Sequence, residues 1–266
     1  MRRRRPGDGH GPRTVALSDD LPDLAALGRV AREVAVAWGV ELGEPFGLAR
    51  YSYVAAVGGD AVLKVTPPED DESDEEVEAL ELWSGDGAVR LLRCDRSRRA
   101  MLLERAGDDI SRLPDEEATR IAVATGLKLW RPASEPFRWI GDHVPRWLDH
   151  AAGHELAPLA RELYASLDVG RTTLVHGDFH HHNIVRSARG PLAIDPKPML
   201  GEPEYDVPSY LWNPLSYRMR RDVTARRLAA FAAAGLDEER MRIWGVIRGA
   251  CLGADEHESA VLRALV

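Results

Sequence analysis

The sequence contains little that would direct the protein out of the cytoplasm. Only two cysteines, Cys94 and Cys251, occur in 266 residues. They lie far apart without the spacing of a metal site, which suits a reducing compartment. No run of about 18 apolar residues is present, so no transmembrane helix is predicted. The first five residues also lack the apolar stretch of a signal peptide. We therefore expect a cytoplasmic protein that does not enter the membrane.

Positive charges are fewer than negative ones, with 35 Lys and Arg residues against 43 Asp and Glu residues. The net charge is −8, which argues against a nucleic-acid substrate and is compatible with a cationic partner. The exception is the arginine-rich start, and we predict that residues 1–15 form a disordered basic leader. A nucleic-acid-binding arm is the alternative interpretation of that leader. With 44% hydrophobic residues the chain can bury a sizeable core, and its length predicts two lobes.

The most informative segment begins at His176 and ends near Asp195. Asp178 is followed five residues later by Asn183, and Asp195 follows a second apolar run. This spacing is typical of a kinase catalytic loop followed by a metal-binding aspartate. Residues 183–186 and 191–194 are short apolar-rich runs separated by a turn signal, and they predict a β-hairpin. Its pairing would set Asn183 roughly across from Asp195, so both oxygens would converge on one hard cation.

These residue types predict roles in phosphoryl transfer. Asp178 is the candidate catalytic base for the acceptor hydroxyl, and Asn183 and Asp195 are the candidate ligands of Mg²⁺ bound to ATP. Two alternatives are a surface hairpin with incidental polar residues and a metallohydrolase. The second would use the run of His and Asp side chains between His176 and His182 as ligands. The kinase interpretation also explains Asn183, Asp195 and an upstream lysine, which the metallohydrolase does not.

That upstream lysine is Lys64, centred in the apolar run 61–65. A lysine in a strand is often an edge or snorkelling residue, but this one precedes the catalytic loop as a kinase lysine does. Its partner should be a glutamate on the next helix, predicted over residues 74–83. We predict Glu78 as the partner, with Glu75 as the competing choice. The remaining acidic residues between Glu69 and Glu81 are interpreted as a solvated face.

Taken together, these motifs resemble the aminoglycoside/hydroxyurea antibiotic-resistance kinase family, which includes streptomycin 6-phosphotransferases. The matching segments lie between about residues 40 and 215, and their order makes the resemblance strong. They are residues 61–65, 78–83, 87–92, 102–105, 176–183, 194–197, 201–207 and 213–214.

The resemblance implies an α+β, two-lobed protein-kinase-like fold, with a small antiparallel-sheet N-lobe and a mainly helical C-lobe. It implies that Lys64 holds the phosphates of ATP and pairs with Glu78, and that the backbone from Glu104 to Ala106 is the hinge that meets adenine. Asp206 resembles the buried aspartate that ties down the catalytic loop. The implied cofactors are ATP and Mg²⁺.

The implied activity is transfer of the γ-phosphate of ATP to a hydroxyl of a small molecule, an aminoglycoside such as streptomycin. The alternatives are a kinase acting on another hydroxylated metabolite and a nucleotide-binding pseudokinase. We also expect a monomer. One departure concerns the phosphate-covering segment, residues 45–53, which has a single glycine. Glycine most readily permits close approach of backbone amides to phosphates. The two interpretations are that Arg50 supplies charge in its place and that nucleotide binding is loose.

Periodicity predicts the remaining elements and the domain organisation. A helix is predicted over residues 21–38, a hairpin over 51–57 and 61–65, and a second strand pair over 89–93 and 100–104. From residue 114 onward the pattern is helical, over residues 116–130, 156–167, 220–234 and 238–252. We therefore predict a nucleotide-binding lobe over residues 16–106 and a catalytic and acceptor-binding lobe over residues 107–266.

The acceptor site is the least defined by the sequence. A cationic aminosugar would be held by carboxylates of the C-terminal lobe, and five candidates are available: Glu202, Glu204, Asp255, Glu256 and Glu258. Each is more often a solvated surface group. Trp212 is interpreted as a core residue, with pocket lining as the alternative.

Overall fold

The computed structural model describes residues 22–47, 51–214 and 219–266. The predicted basic leader and Arg50 lie outside the described residues. Within the described part of the chain, no helix is long and apolar enough to cross a membrane.

The first part of the chain builds an antiparallel sheet of five strands in the order β1-β2-β3-β5-β4. The strands are β1 (Leu42–Pro45), β2 (Tyr53–Val57), β3 (Ala61–Val65), β4 (Leu91–Asp95) and β5 (Ala100–Glu104). The predicted hairpin is confirmed, since Tyr53 pairs with Val65 and Val57 pairs with Ala61. Both strand pairs that the sequence predicts are therefore neighbours in one sheet.

Helix α1 (Leu24–Trp38) covers this sheet. It begins three residues later than predicted because the Asp23 side chain accepts hydrogen bonds from the N–H groups of Ala25 and Ala26, both at 3.0 Å. Gly39 ends it in the left-handed conformation at φ 67°. Its apolar face packs on β3 in a small core of six buried residues, Leu27, Ala31, Val34, Leu63, Val65 and Ala100.

Helix α2 (Glu76–Trp83) lies between β3 and β4 and follows a short 3₁₀ turn, Asp71–Ser73. The helix is shorter at its start than the predicted span of residues 74–83. Its buried positions are Glu76, Ala79, Leu80 and Trp83, which recur at the three- and four-residue spacing of one helix face. The helix therefore turns Glu76, and not Glu78, towards the interior.

The second part of the chain is mainly helical. Its helices are α3 (Asp115–Leu129), α4 (Ile140–His150), α5 (Ala157–Ala165), α6 (Val207–Trp212), α7 (Arg221–Ala233), α8 (Glu238–Leu252) and α9 (Glu256–Arg263). Trp244 on α8 and Phe231 on α7 are fully buried in the large core. Trp212 is also buried there, as predicted.

Short strands between these helices carry the predicted catalytic segment. They are β6 (Arg131–Pro132), β7 (Thr173–Val175), β8 (Ile184–Val185), β9 (Leu192–Ala193) and β10 (Met199–Gly201). The predicted hairpin is present as β8 and β9, but it is shorter than expected. Its register pairs Ile184 with Ala193, and Ile194 donates a 2.9 Å hydrogen bond to the carbonyl of Asn183. Asn183 therefore lies opposite Ile194, one residue before Asp195.

Candidate active site

The loop after β7 is held by one buried carboxylate. Asp206, which is fully buried, accepts hydrogen bonds from the backbone N–H of His176 at 2.8 Å and of Gly177 at 2.7 Å. The indole Nε1–H of Trp130 donates to the same side chain at 2.8 Å. Three donors on one carboxylate fix the loop immediately before Asp178. This is the structural role that the sequence implied for Asp206.

Gly177 allows that loop to approach the segment after Asp195. Its φ is +82°, and a Cβ atom at this position would lie 2.0 Å from the carbonyl oxygen of Lys197. The N–H of Lys197 in turn donates to the carbonyl of His176 at 2.7 Å. Any side chain at position 177 would collide with the backbone and strain a left-handed conformation. Glycine thus permits the close contact that brings Asp178 and Asp195 into one region.

Asp178 has one carboxylate oxygen engaged and one without a hydrogen bond. Its Oδ2 accepts from Asn183 Nδ2 at 3.1 Å, while Oδ1 has no hydrogen-bond partner although the residue is only 3% exposed. Nε2 of His180 lies 3.4 Å from Oδ1. Burial acts to raise the pKa of Asp178, but the lowering effects of His180 and His176 together outweigh it, so the net pKa lies below its usual value. The side chain is therefore ionised at neutral pH and able to accept a proton.

Asp195 has the features of a metal ligand. Its backbone is in the left-handed region at φ 55°, which is uncommon for a residue other than glycine. Its side chain is 43% exposed, and Lys64 Nζ contacts Oδ1 at 2.5 Å. Burial acts to raise the pKa of Asp195, but Lys64 and Lys197 hold it well below its usual value.

Asn183 complements Asp195 on the paired strand. Its Nδ2 donates to the carbonyl oxygen of Asp178 at 2.9 Å as well as to the Asp178 carboxylate. The amide oxygen of Asn183 is therefore the atom that remains to bind a cation. A partly exposed carboxylate, an amide oxygen and room for water are the ligands that Mg²⁺ uses when it binds nucleotide phosphates. The residues present thus fit a magnesium ion.

Lys64 pairs with Glu76, not with the predicted Glu78. Its Nζ donates to both oxygens of Glu76 at 2.8 and 2.7 Å, and both side chains are nearly completely buried. Burial acts to lower the pKa of Lys64, but Asp195 and Glu76 raise it, so the net pKa lies above its usual value and the amine stays charged. Lys64 therefore joins the sheet, α2 and the segment of Asp195.

The two glutamates considered in the sequence bind arginines instead. Glu78 forms an ion pair with Arg96, and Glu75 accepts a hydrogen bond from Arg138 Nε at 3.0 Å. The prediction of Glu78 was wrong because the buried face of α2 is formed by Ala79, Leu80 and Trp83 together with Glu76, whereas Glu78 lies off that face and meets Arg96.

At the predicted hinge, residues 104–106, the groups available to a ligand are backbone groups and not side chains. The carboxylate of Glu104 binds Arg189, with contacts of 3.0 and 2.5 Å, and the Glu104 N–H donates to the carbonyl of Arg90 at 2.9 Å. The N–H of Arg105 donates to the backbone carbonyl of Asp60 at 2.8 Å. Among the hydrogen bonds of the described residues, none engages the backbone N–H of Ala106. The Glu104 side chain is therefore occupied, while the Ala106 amide is available.

The histidines of the loop point to different partners. His176 Nε2 lies 3.0 Å from the carbonyl of Ile194, His181 stacks on Tyr210 with ring centroids 4.0 Å apart, and His182 Nδ1 lies 2.9 Å from Asp109 Oδ2. Over residues 22–47, 51–214 and 219–266, no group of three or more His, Cys, Asp or Glu side chains is arranged to hold a metal ion. This arrangement does not support the metallohydrolase alternative.

The five carboxylates proposed for the acceptor have other roles. Glu202 binds Arg240 at 2.5 Å and accepts from the Trp244 indole at 2.5 Å, while Glu204 accepts from the backbone N–H of Asp237 at 2.9 Å. Asp255 and Glu258 form the capping box at the start of α9, and Glu256 is exposed in its first turn. The carboxylates that line the cleft beside Asp178 are instead Asp71 and Glu72, which come from the acidic run.

Comparison with known proteins agrees with this geometry. The family model described as aminoglycoside/hydroxyurea antibiotic resistance kinase matches residues 41–259. The chain belongs to this family. It is 34% identical over 240 residues to a hydroxyurea phosphotransferase of Kitasatospora aureofaciens, covering 82% of this chain and 69% of that protein. It is 31% identical over 205 residues to a streptomycin 3''-kinase of Klebsiella pneumoniae, covering 69% of this chain and 75% of that protein.

Solved structures of other kinases share the fold of this family member. The choline kinase LicA from Streptococcus pneumoniae superposes with a TM-score of 0.63 at 14% identity, covering 90% of this chain and 91% of that chain. A thermostable mutant of aminoglycoside phosphotransferase APH(4)-Ia, in a ternary complex with ADP and hygromycin B, gives a TM-score of 0.59 at 15% identity. That match covers 88% of this chain and 98% of the other. The predicted two-lobed, kinase-like α+β fold is confirmed.

Proposed function

We propose that this protein transfers the γ-phosphate of ATP to a hydroxyl group of a small molecule, an aminoglycoside such as streptomycin. The observation that carries the proposal is Asp178, which is buried and ionised and whose Oδ1 has no hydrogen bond. The loop of Asp178 contacts the segment that follows Asp195, and the Asp195 side chain in turn contacts Lys64. The family supplies the reaction class, and its members include kinases of streptomycin and of hydroxyurea.

In this proposal Asp178 accepts the proton of the acceptor hydroxyl. The acceptor oxygen then forms a bond to the γ-phosphorus, the bond to the bridging oxygen breaks, and ADP leaves with that electron pair. The hydrogen bond from Asn183 Nδ2 to Oδ2 orients the carboxylate so that Oδ1 remains for the proton. General-base assistance of this kind contributes about 10²–10⁴-fold in rate.

Lys64 holds the phosphates of ATP, and its ion pair with Glu76 fixes the position of the amine. Asn183 and Asp195 would hold Mg²⁺, which neutralises charge on the phosphates when bound. At the hinge, the free N–H of Ala106 would meet adenine. Glu104 contributes through its bond to Arg189, which ties the end of β5 to the hairpin loop between β8 and β9.

A second acceptor is supported by a specific observation. The hydroxyurea phosphotransferase shares 34% identity with this chain, compared with 31% for the streptomycin 3''-kinase. Hydroxyurea is small and neutral, whereas streptomycin is large and cationic, so the two acceptors make different demands on the cleft. Another hydroxylated metabolite is a third option, and a pseudokinase would bind ATP without transfer.

The test is an ATP-consumption assay of the purified protein with Mg²⁺ over aminoglycosides, hydroxyurea and hydroxylated metabolites. We expect acceptor-dependent ADP formation and a phosphorylated product that mass spectrometry identifies. Nucleotide binding without turnover of any acceptor would instead identify a pseudokinase. The monomeric state, the absence of nucleic-acid partners and the cytoplasmic location stay predictions.

A further inference from the structure

A short backbone ladder leads from the predicted hinge to the candidate magnesium site. Residues 107–110 run antiparallel to residues 184–186, with backbone hydrogen bonds of 2.7, 2.9 and 3.1 Å between them. One end of the ladder adjoins Ala106, whose N–H is available, and the other end adjoins Asn183. An extended chain rises about 3.3 Å per residue, so the ladder covers about 10 Å between the two.

The covalent order of ATP determines which of its groups lies along this ladder. In the proposed function adenine lies at Ala106, and the phosphates lie at the Mg²⁺ held by Asn183 and Asp195. The ribose joins adenine to the phosphates, so it would lie beside the middle of the ladder. The residue at that position is Asp109, which pairs with Val185 across the ladder.

The Asp109 carboxylate holds a histidine ring at this position. His182 Nδ1 lies 2.9 Å from Asp109 Oδ2, while Oδ1 accepts hydrogen bonds from the N–H and the hydroxyl of Ser111 at 2.9 and 2.6 Å. Burial acts to raise the pKa of Asp109, but the hydrogen bonds from His182 and Ser111 hold it well below its usual value. Because the ionised carboxylate can only accept, the hydrogen of this contact belongs to His182 Nδ1.

The second ring nitrogen of His182 is available to a ligand. Within residues 22–47, 51–214 and 219–266, no hydrogen bond engages its Nε2, and 37% of the side chain is exposed. His176, His180 and His181 are buried, whereas His182 is partly exposed. A sugar hydroxyl both donates and accepts, so it can pair with Nε2 whether or not that nitrogen carries a hydrogen.

We infer that His182 donates to or accepts from a ribose hydroxyl of the nucleotide, 2′ or 3′, through Nε2, and that Asp109 positions the ring. The inference rests on the proposed function, in which ATP is the phosphate donor. It adds a residue that recognises the sugar between the hinge, which would meet adenine, and Asn183, which would bind Mg²⁺.

The experiment measures the Kd of ATP, 2′-deoxy-ATP and 3′-deoxy-ATP, each with Mg²⁺, for the full chain by isothermal titration calorimetry. His182→Asn is compared with the wild type and with His150→Asn, the same substitution at an exposed position of α4. In His182→Asn the shorter side chain keeps an N–H towards Asp109 but has no atom at the place of Nε2. Melting temperatures confirm that each variant is folded.

We expect the wild type to bind ATP about 3–10-fold more tightly than one of the two deoxy nucleotides, the usual effect of one hydrogen bond. The weaker analogue identifies the hydroxyl. His182→Asn should bind ATP about as weakly as that analogue, with the Kd of the analogue unchanged, and His150→Asn should keep the preference. Asp109→Ala should also reduce the preference, because the ring loses the acceptor that orients it.

The outcomes separate this inference from the proposed function. Equal Kd values of the three nucleotides for the wild type, or a preference that persists in His182→Asn, would overturn the contact. A weakening of all three nucleotides by one factor in His182→Asn would overturn it too, because that result indicates a structural tie between the loops. An unchanged preference in Asp109→Ala would overturn the positioning role of Asp109.

Turnover of an acceptor decides the proposed function independently. Acceptor-dependent ATP consumption by a wild type that binds all three nucleotides equally would overturn the ribose contact and leave the proposed transfer standing. A ribose preference that depends on His182, without turnover of any acceptor, would support the inference and contradict the transfer. No binding of ATP–Mg²⁺ by the wild type would overturn both.

Discussion

Lys64 Nζ and the carboxylate of Glu76 form a buried pair with contacts of 2.8 and 2.7 Å. The pair connects β3 to the first turn of α2, and the same amine contacts Asp195 Oδ1 at 2.5 Å. An ammonium group buried to this extent is tolerated only because two carboxylates compensate its lost hydration. The Lys64 amine thereby links the antiparallel sheet to the catalytic segment.

Replacing Glu76 with Gln should strongly reduce both stability and activity. Breaking a buried ion pair at one partner typically costs about 3–5 kcal/mol. In this variant the buried Lys64 ammonium would keep only Asp195 as a carboxylate partner. Glu78→Gln is the matched control, since it removes a partly exposed pair with Arg96, and such surface pairs are worth about 0–1 kcal/mol. Urea denaturation of both variants checks the free energy of unfolding. A larger loss for Glu78→Gln than for Glu76→Gln would contradict the assignment.

Asp178→Asn should abolish transfer while ATP still binds. The carboxylate acts on the acceptor hydroxyl and not on the nucleotide, and loss of a base typically reduces the rate about 10²–10⁴-fold. The readouts are kcat with an acceptor that the wild type phosphorylates and the Kd for ATP–Mg²⁺. Asp108→Asn, whose side chain is 91% exposed, is the control and should behave as the wild type. Undiminished turnover of Asp178→Asn would exclude Asp178 as the base.

Magnesium should matter only together with nucleotide. Mg²⁺ completes its shell with phosphates and water, so ATP–Mg²⁺ should raise the melting temperature more than ATP with a chelator does. Asp195→Ala should remove the magnesium-dependent part of that increase. Thermal denaturation with and without chelator measures both effects. Tightly held zinc, manganese or iron in the purified protein, with no response to ATP–Mg²⁺, would instead favour a metallohydrolase.

Local patterns predicted the elements of the site well. The hairpin after Asp178 and the strand around Lys64 depend on alternation and turn residues that lie within a few positions of each other. Asp178, Asn183 and Asp195 lie on adjoining segments because one short hairpin joins them and Gly177 permits close contact with Lys197.

Partner choice was harder to predict because it depends on distant residues. Glu78 was preferred, with Glu75 as the competing choice, because the sequence does not show which face of α2 meets the core. Glu76, which shares the buried face with Ala79, Leu80 and Trp83, was not considered. From the sequence, the acceptor carboxylates were predicted to lie after residue 200. In the structure Glu202 instead binds Arg240, and Glu204 accepts a hydrogen bond from the backbone N–H of Asp237. Glu72 lies in an acidic run that composition alone predicts to be a solvated face. Its burial in the cleft beside Asp178 depends on the fold and could not be predicted from that run.

Removing the carboxylate of Asp206 should destabilise the catalytic loop. In Asp206→Ala the N–H groups of His176, Gly177 and Trp130 lose their acceptor, and each unsatisfied buried donor costs about 1–3 kcal/mol. We expect a large loss of unfolding free energy in urea, together with loss of ATP turnover. Asp222→Ala, at an exposed position of α7, is the control and should leave the denaturation midpoint almost unchanged. Similar midpoints for the two variants would contradict the role of Asp206.

The last prediction concerns the free energy of unfolding that the protein loses when Glu72 ionises. Its pKa is raised by burial to about 7, above its ordinary value of 4.5, so the folded protein favours the neutral acid. A carboxyl group whose folded pKa is raised costs stability once it ionises, and this cost grows as the pH rises from about 4.5 to about 7. Glu72→Gln removes the ionisation and should raise the melting temperature at pH 8 relative to the wild type.

At pH 4 both proteins carry a neutral side chain at position 72, so their melting temperatures should nearly coincide. Glu69→Gln, three residues earlier, serves as the control, because its exposed position predicts no pH-dependent difference from the wild type. Thermal unfolding in matched buffers at pH 4, 6 and 8 checks the trend. A wild type that is the more stable protein at pH 8 would show that the positive charge of Lys197 outweighs the burial of Glu72.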